Sequence, residues 1–169
     1  MDISPSIYYE EAIEQLDLVR SKLDKIDYND YTYDINEIFR AFHTLKGGAG
    51  MFHFQNIVNL THLAEDLLDQ IRNNKIRFDH DLKELLLALS DLLETLSEKM
   101  VNKGTIDSYT LTQIEDLEID LKQELSADSP KRIIEPKEVK TSLKNEPIAI
   151  IPTSPTKKTI LIVDDSSMI

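Results

Sequence analysis

The residues best suited to chemistry in this chain are His43, Lys46 and Gly47, within the run FHTLKGGAG from Phe42 to Gly50. A neutral imidazole is a good nucleophile toward phosphorus near physiological pH. A lysine three residues on, one helical turn later, is placed to neutralise an anion attached to or approaching that ring. Three of the chain's 4 glycines, Gly47, Gly48 and Gly50, fall in the same run. Each glycine costs a helix interior roughly 1 kcal/mol against alanine, so a helix that carries three must gain something by it. On a wheel of about 100° per residue with Ile35 at zero, the apolar stripe centres at roughly 320°, His43 at ~80°, Lys46 at ~20°, Gly47 at ~120° and Gly50 at ~60°. The histidine therefore sits beside the core stripe. Gly47 removes a side chain that would crowd the ring, and Gly50 clears the next turn for a partner's active site. Such a ring works best when its inner nitrogen donates to a fixed acceptor. His62 and Glu65, three apart in NLTHLAEDLLDQIR, share a helix face from which a carboxylate could accept that bond and leave the outer nitrogen free.

These residues need helices to position them, and apolar spacing predicts five. Helix A covers about 7–26, with Ile13, Leu16, Val19 or Arg20 and Leu23 inward. DYNDYTYD breaks it. Helix B begins near Asp34, a candidate N-cap with Glu37 three residues on. Its stripe is Ile35, Ile38, Phe39, Phe42, Leu45, Ala49 and Phe52. Helix C runs over about 55–73 on Ile57, Leu60, Leu63, Ala64, Leu67, Leu68 and Ile71. Helix D spans about 79–101 with a leucine-rich core face. Helix E spans about 108–125 on Leu111, Ile114, Leu117, Leu121 and Leu125. Short connections favour antiparallel neighbours, so residues 1–127 are expected to form an all-α, up-and-down bundle, four core helices plus one.

The chain then changes character. Five of the 6 prolines lie between Pro130 and Pro155, and residues 128–158 read as a flexible linker. In the closing TILIVDDSSMI, Ile160–Val163 looks like the first buried strand of a parallel sheet, ended by Asp164 and Asp165. One strand makes no sheet, so residues 159–169 are expected to be a disordered stub of a second domain.

Charge is uneven. The net charge is −12, with 26 acidic against 12 basic residues up to position 130, and 7 basic against 3 acidic over 131–158. An acidic bundle repels nucleic acid and anionic lipid, which argues against both as partners. The lack of cysteine excludes disulfides and thiolate metal sites. No apolar run approaches the roughly 20 residues that span a bilayer, and the acidic N-terminus does not resemble a signal peptide. A soluble cytoplasmic protein is expected.

FHTLKGGAGMF resembles the His-x-x-Lys-Gly motif of histidine-phosphotransfer (HPt) domains. Together with LTHLAEDLLDQIR it is similar to the N-terminal phosphotransfer domain of CheA-type chemotaxis kinases, over about residues 5–125. The resemblance implies that His43 is the phosphoacceptor, that Lys46 assists the phosphate, and that Glu65 bonds the inner nitrogen. It also places His62 in the same polar network and has Gly47 give access. Met51 and His53 depart from the usual pattern, just past the site. TILIVDDSSMI resembles the first strand of a response-regulator receiver, where Asp164 and Asp165 would help hold Mg²⁺ in a longer chain with a complete receiver. The implied partners are a histidine kinase's ATP-binding domain, which brings ATP and Mg²⁺, and a receiver aspartate. The bundle itself, expected as a monomer, would need no cofactor. With no Gly-x-x-x-x-Gly-Lys phosphate loop, it is a substrate of phosphotransfer and not itself an enzyme. The complete protein would be a CheA-type kinase or an HPt–receiver fusion.

Two other classes compete. A metal-binding bundle would use His43, His62, Glu65 and Asp66. Only His62-x-x-Glu65 approaches the Glu-x-x-His pattern of di-iron bundles, in reversed order, and helices A, D and E offer no inward histidine. A phosphate-independent module that merely binds receivers would be signalled by loss of His43 or Lys46, and both are present.

Overall fold

Ser4 accepts a hydrogen bond from the Ser6 N–H and Pro5 occupies the first turn, so the first helix starts two residues earlier than its apolar spacing predicts. The computed structural model describes residues 4–126. The expectations for residues 127–169, linker and receiver strand alike, lie outside the described residues. Five helices follow in order: α1 (Pro5–Lys25), α2 (Thr32–Met51), α3 (Gln55–Arg72), α4 (His80–Val101) and α5 (Ser108–Leu125). Among the described residues there is no strand.

The start of α2 differs from expectation. Asp34 does not cap it; the helix begins at Thr32, and Tyr31 in the cap position makes no side-chain cap bond. Asp34 instead accepts from Lys22 of α1 at 2.9 Å, and that ammonium lies 4.7 Å from the Tyr33 ring centroid. A carboxylate held by a neighbouring helix cannot also fold back on its own backbone.

Helix α1 packs on α2 and α4, α2 on α1 and α3, and α3 on α4, which closes a ring of four; α5 lies against α3 and α4. Tyr8, near the start of α1, reaches Ser97 near the end of α4, with 3.4 Å between their hydroxyl oxygens, and Arg20 bonds Asp91 and Glu94 further along. Those pairs run antiparallel, as short connections require. The core is built mostly from the stripes read from the sequence, but Ile13, expected inward on α1, is only half-buried because Ala12 and Leu16 carry that face. Leu16, Val19, Leu23, Ile35, Ile38, Phe42, Leu45, Ile57, Leu60, Leu67, Leu68 and Ile71 are all buried, with Leu82, Leu86, Leu89, Leu93 and Leu96 from α4.

Aromatic rings fill both ends. Tyr28 and Tyr31, from the segment read only as a helix break, pack on Phe78 at 5.8 and 5.6 Å between centroids. At the other end Tyr8, Phe52 and Phe54 meet at 5.5–5.9 Å. Helix α5 is the least embedded. It buries Thr110, Ile114 and Leu121, while Leu111, expected inward, is 45% exposed, because this helix contacts the bundle along one narrow side. Asp107 caps it by accepting from Thr110 N–H and is also held by Lys99. The Lys99 ammonium, then the Thr110 N–H, hold its carboxyl well below the usual range. This attachment therefore contributes above the ordinary carboxylate pKa and is lost as pH falls through the depressed value.

Candidate functional site

His43 stands on the rim of α2, between the buried Phe42 and Leu45, with its side chain 67% exposed. Across the α2–α3 seam, Glu65 projects from a stretch of α3 that buries Ala64, Leu67 and Leu68, and its side chain is only 9% exposed. The Nδ1 of His43 lies 3.5 Å from each Glu65 oxygen. Lys46, one turn beyond His43, donates to Oε2 of the same carboxylate. Oε1 is buried and makes no hydrogen bond.

Leaving a buried carboxylate oxygen unpaired is costly, and such atoms in folded proteins call for a reason. The reason here is geometric. Lys46 and, at 3.5 Å, Nδ1 both reach Oε2, while Oε1 lies equally far from Nδ1 without bonding it, so a small ring rotation would give Oε1 its partner. Contacts of this kind commonly tighten only when a reacting partner arrives. With Nδ1–H directed to Glu65, the lone pair stays on Nε2.

Sequence reasoning brought His43, Lys46 and Glu65 to one place, and the structure does the same. His62 is different. Although three residues from Glu65, it is 64% exposed, and its nearest charged neighbour is Asp66 on its own helix at 3.9 Å. No hydrogen bond or ion pair among the described residues joins it to the other three. No three histidine or carboxylate side chains there are grouped to hold a metal.

The glycines divide by function. A Cβ on Gly47 or Gly50 would meet nothing within 4 Å, so neither glycine relieves a clash inside this chain; each leaves open space on the His43 side. Gly48 was not singled out from the sequence. A Cβ there would lie 2.8 Å from Cδ2 of Tyr8, whose ring is buried and wedged by Phe52 and Phe54. Gly48→Ala is therefore expected to destabilise by about 1–3 kcal/mol through overpacking. Gly47→Ala should stabilise by about 1 kcal/mol through helix propensity, yet slow any transfer that needs a partner on that face. Urea unfolding midpoints check the opposite signs.

Just past the site, His53 follows the end of α2 with a left-handed φ of 60°, and its N–H bonds Gly50 O at 3.2 Å. Glycine is the usual residue at such a helix end, which explains in backbone terms why a histidine here stands out. Sequence reasoning also missed a ring pair. Phe39, one turn before His43, lies 6.3 Å from it with planes 10° apart, and the Arg72 guanidinium sits 4.5 Å from the Phe39 centroid. The four-residue spacing carries the signal, but Phe39 also fits the apolar stripe of α2, in which it is only half-buried.

The bundle presents an exposed histidine over a buried carboxylate that a half-buried lysine holds. The family model described as "Hpt domain" matches residues 6–99, more than half of the chain, and the protein belongs to the Hpt domain family. Such a domain is a phosphoryl carrier, not a catalyst by itself. Its relatives include the chemotaxis protein CheA of Rhizobium meliloti, 32% identical over 109 residues covering 64% of this chain and 14% of that protein. CheA of Salmonella typhimurium is 29% identical over 152 residues, 88% of this chain and 23% of that protein. The chain thus spans less than a quarter of either relative's length. Among solved structures, the phosphorylated P1 domain of CheA3 in complex with CheY6 from R. sphaeroides superposes with a TM-score of 0.61. It is 23% identical and covers 73% of this chain and 98% of that one, which establishes the shared fold.

Proposed function

We propose that His43 carries the phosphoryl group between a histidine kinase and a response-regulator receiver. The observation that carries the assignment is the Nδ1–Glu65 contact beneath an exposed ring. In the forward step the Nε2 lone pair attacks the γ-phosphorus of ATP bound by the kinase. An N–P bond forms, the bridging P–O bond breaks and ADP leaves. The Nδ1 proton stays on the ring, directed at Glu65, whose charge offsets the positive charge the ring acquires. In the second step a receiver aspartate oxygen attacks the same phosphorus, the N–P bond breaks and the lone pair returns to Nε2. Lys46 secures Glu65 in the resting state and lies close enough to offset negative charge on the phosphorylated ring.

ATP and Mg²⁺ belong, in this reading, to the kinase and receiver domains. The CheA relatives and the receiver complex of the solved neighbour support a chemotaxis-type pathway for this chain. The acidic pair Asp164 and Asp165, after an apolar run, supports a receiver strand over 159–169 that would contribute to a Mg²⁺ site once the receiver is complete. We assign the bundle as a monomer that works in the cytoplasm. No helix among the described residues is long and apolar enough to cross a membrane.

Incubation with phosphoramidate, followed by intact-mass analysis, tests the proposal. One added, acid-labile phosphoryl group that disappears when a receiver domain and Mg²⁺ are supplied is the expected result. No uptake by the folded protein, while another HPt domain reacts alongside, would leave a receiver-binding module without phosphate chemistry.

A further inference from the structure

We propose that Arg72, acting through Phe39, is a positioning residue for His43. Glu65 alone does not fix the imidazole. Its two oxygens stand equally far from Nδ1, at 3.5 Å, and a contact to one ring atom leaves the exposed ring free to pivot about that point. The ring plane needs a second restraint, and Phe39 supplies it, one turn earlier on α2 and within 10° of parallel. Phe39 is itself only half-buried and needs support of its own. Arg72, the last residue of α3, lays its guanidinium 4.5 Å from the Phe39 centroid. A cation over an aromatic face is attracted by the ring quadrupole, and the planar guanidinium also stacks. Its competing ion pair is weak, with Asp69 at 3.9 Å and 53% exposed. Helix α3 thus holds the histidine twice, by Glu65 at the ring edge and by Arg72 through Phe39 at the ring plane.

The geometry stands independently of the carrier function, while the effect on transfer rests on it, so two readouts are required. Long-range ¹H–¹⁵N spectra of the His43 ring report its tautomer and order, and phosphoramidate uptake reports its reactivity. In Arg72→Gln and Phe39→Leu we expect a lower Nδ1–H fraction and uptake slowed about three- to tenfold, the scale of a slightly misplaced reacting group. Phe39→Tyr, which keeps the ring, should recover most of both, and Arg72→Lys, which keeps the cation but not the stacking plane, only part. Arg72 lies at the surface, so Arg72→Gln remains decisive if the Phe39→Leu chain folds poorly. Wild-type spectra and rates in Arg72→Gln would overturn the inference and leave the carrier reading intact. Altered spectra in a protein whose wild type takes up no phosphate would support the positioning and overturn the carrier reading.

Discussion

His43→Gln is expected to take up no phosphoryl group at all while unfolding within about 0.5 kcal/mol of wild type, the usual range for a surface substitution. The side chain is two-thirds exposed and fills no part of the core, so its loss leaves no cavity. The loss of reactivity should be complete because no other histidine has the same surroundings. His53, His62 and His80 are also exposed, so access alone does not choose among them. His62 and His80 face Asp66 and Glu84 at 3.9 Å, both carboxylates at least half exposed and free to turn to water. Only His43 has a buried carboxylate fixed by a lysine beneath its inner nitrogen. Phosphopeptide mapping under non-acidic conditions checks this. A phosphorylated peptide carrying His53, His62 or His80 in the variant would show that exposure, not the Glu65–Lys46 support, selects the acceptor.

Glu65→Ala should slow uptake about 10- to 100-fold, the range seen when a carboxylate that fixes a histidine's tautomer is removed. The effect on folding should be much smaller. Truncation removes the unpaired Oε1 together with the ion pair, and Lys46, 25% exposed, can redirect its ammonium to water. The two contributions oppose each other, in contrast to a fully enclosed pair, where deleting one charge strands the other. Glu65→Gln separates charge from geometry. Its amide oxygen still accepts from Nδ1–H, so it should keep the tautomer and recover part of the rate. Single-turnover uptake measured beside urea unfolding distinguishes the cases. Equal rates in wild type and Glu65→Ala would make the carboxylate a buried partner of Lys46 alone.

The helices, their core faces and the His43–Lys46–Glu65 grouping were legible in the sequence because each follows from helical period or motif spacing. The apolar stripes are long, and three- and four-residue spacings map directly onto a surface. What escaped depended on partners distant in sequence. Asp34 looked like a cap until Lys22 claimed it. Gly48 looked like its neighbours until Tyr8, forty residues earlier, packed against it. His62 and Glu65 share a spacing, but the seam with α2 buries one and leaves the other outside. Leu111 fits the apolar period of α5 yet points away, since a helix laid on the flank of a finished bundle has less surface to cover.

The open ground above Gly47 bears on how this protein can be altered by selection. Libraries enriched by heat challenge would favour alanine at position 47, since nothing in the folded chain opposes the added methyl. On the proposed carrier role, the hardier survivors would be poorer messengers, their most accessible gain in robustness having been taken from the ground where the receiver would land. Heat-enriched libraries should therefore be screened again for relay.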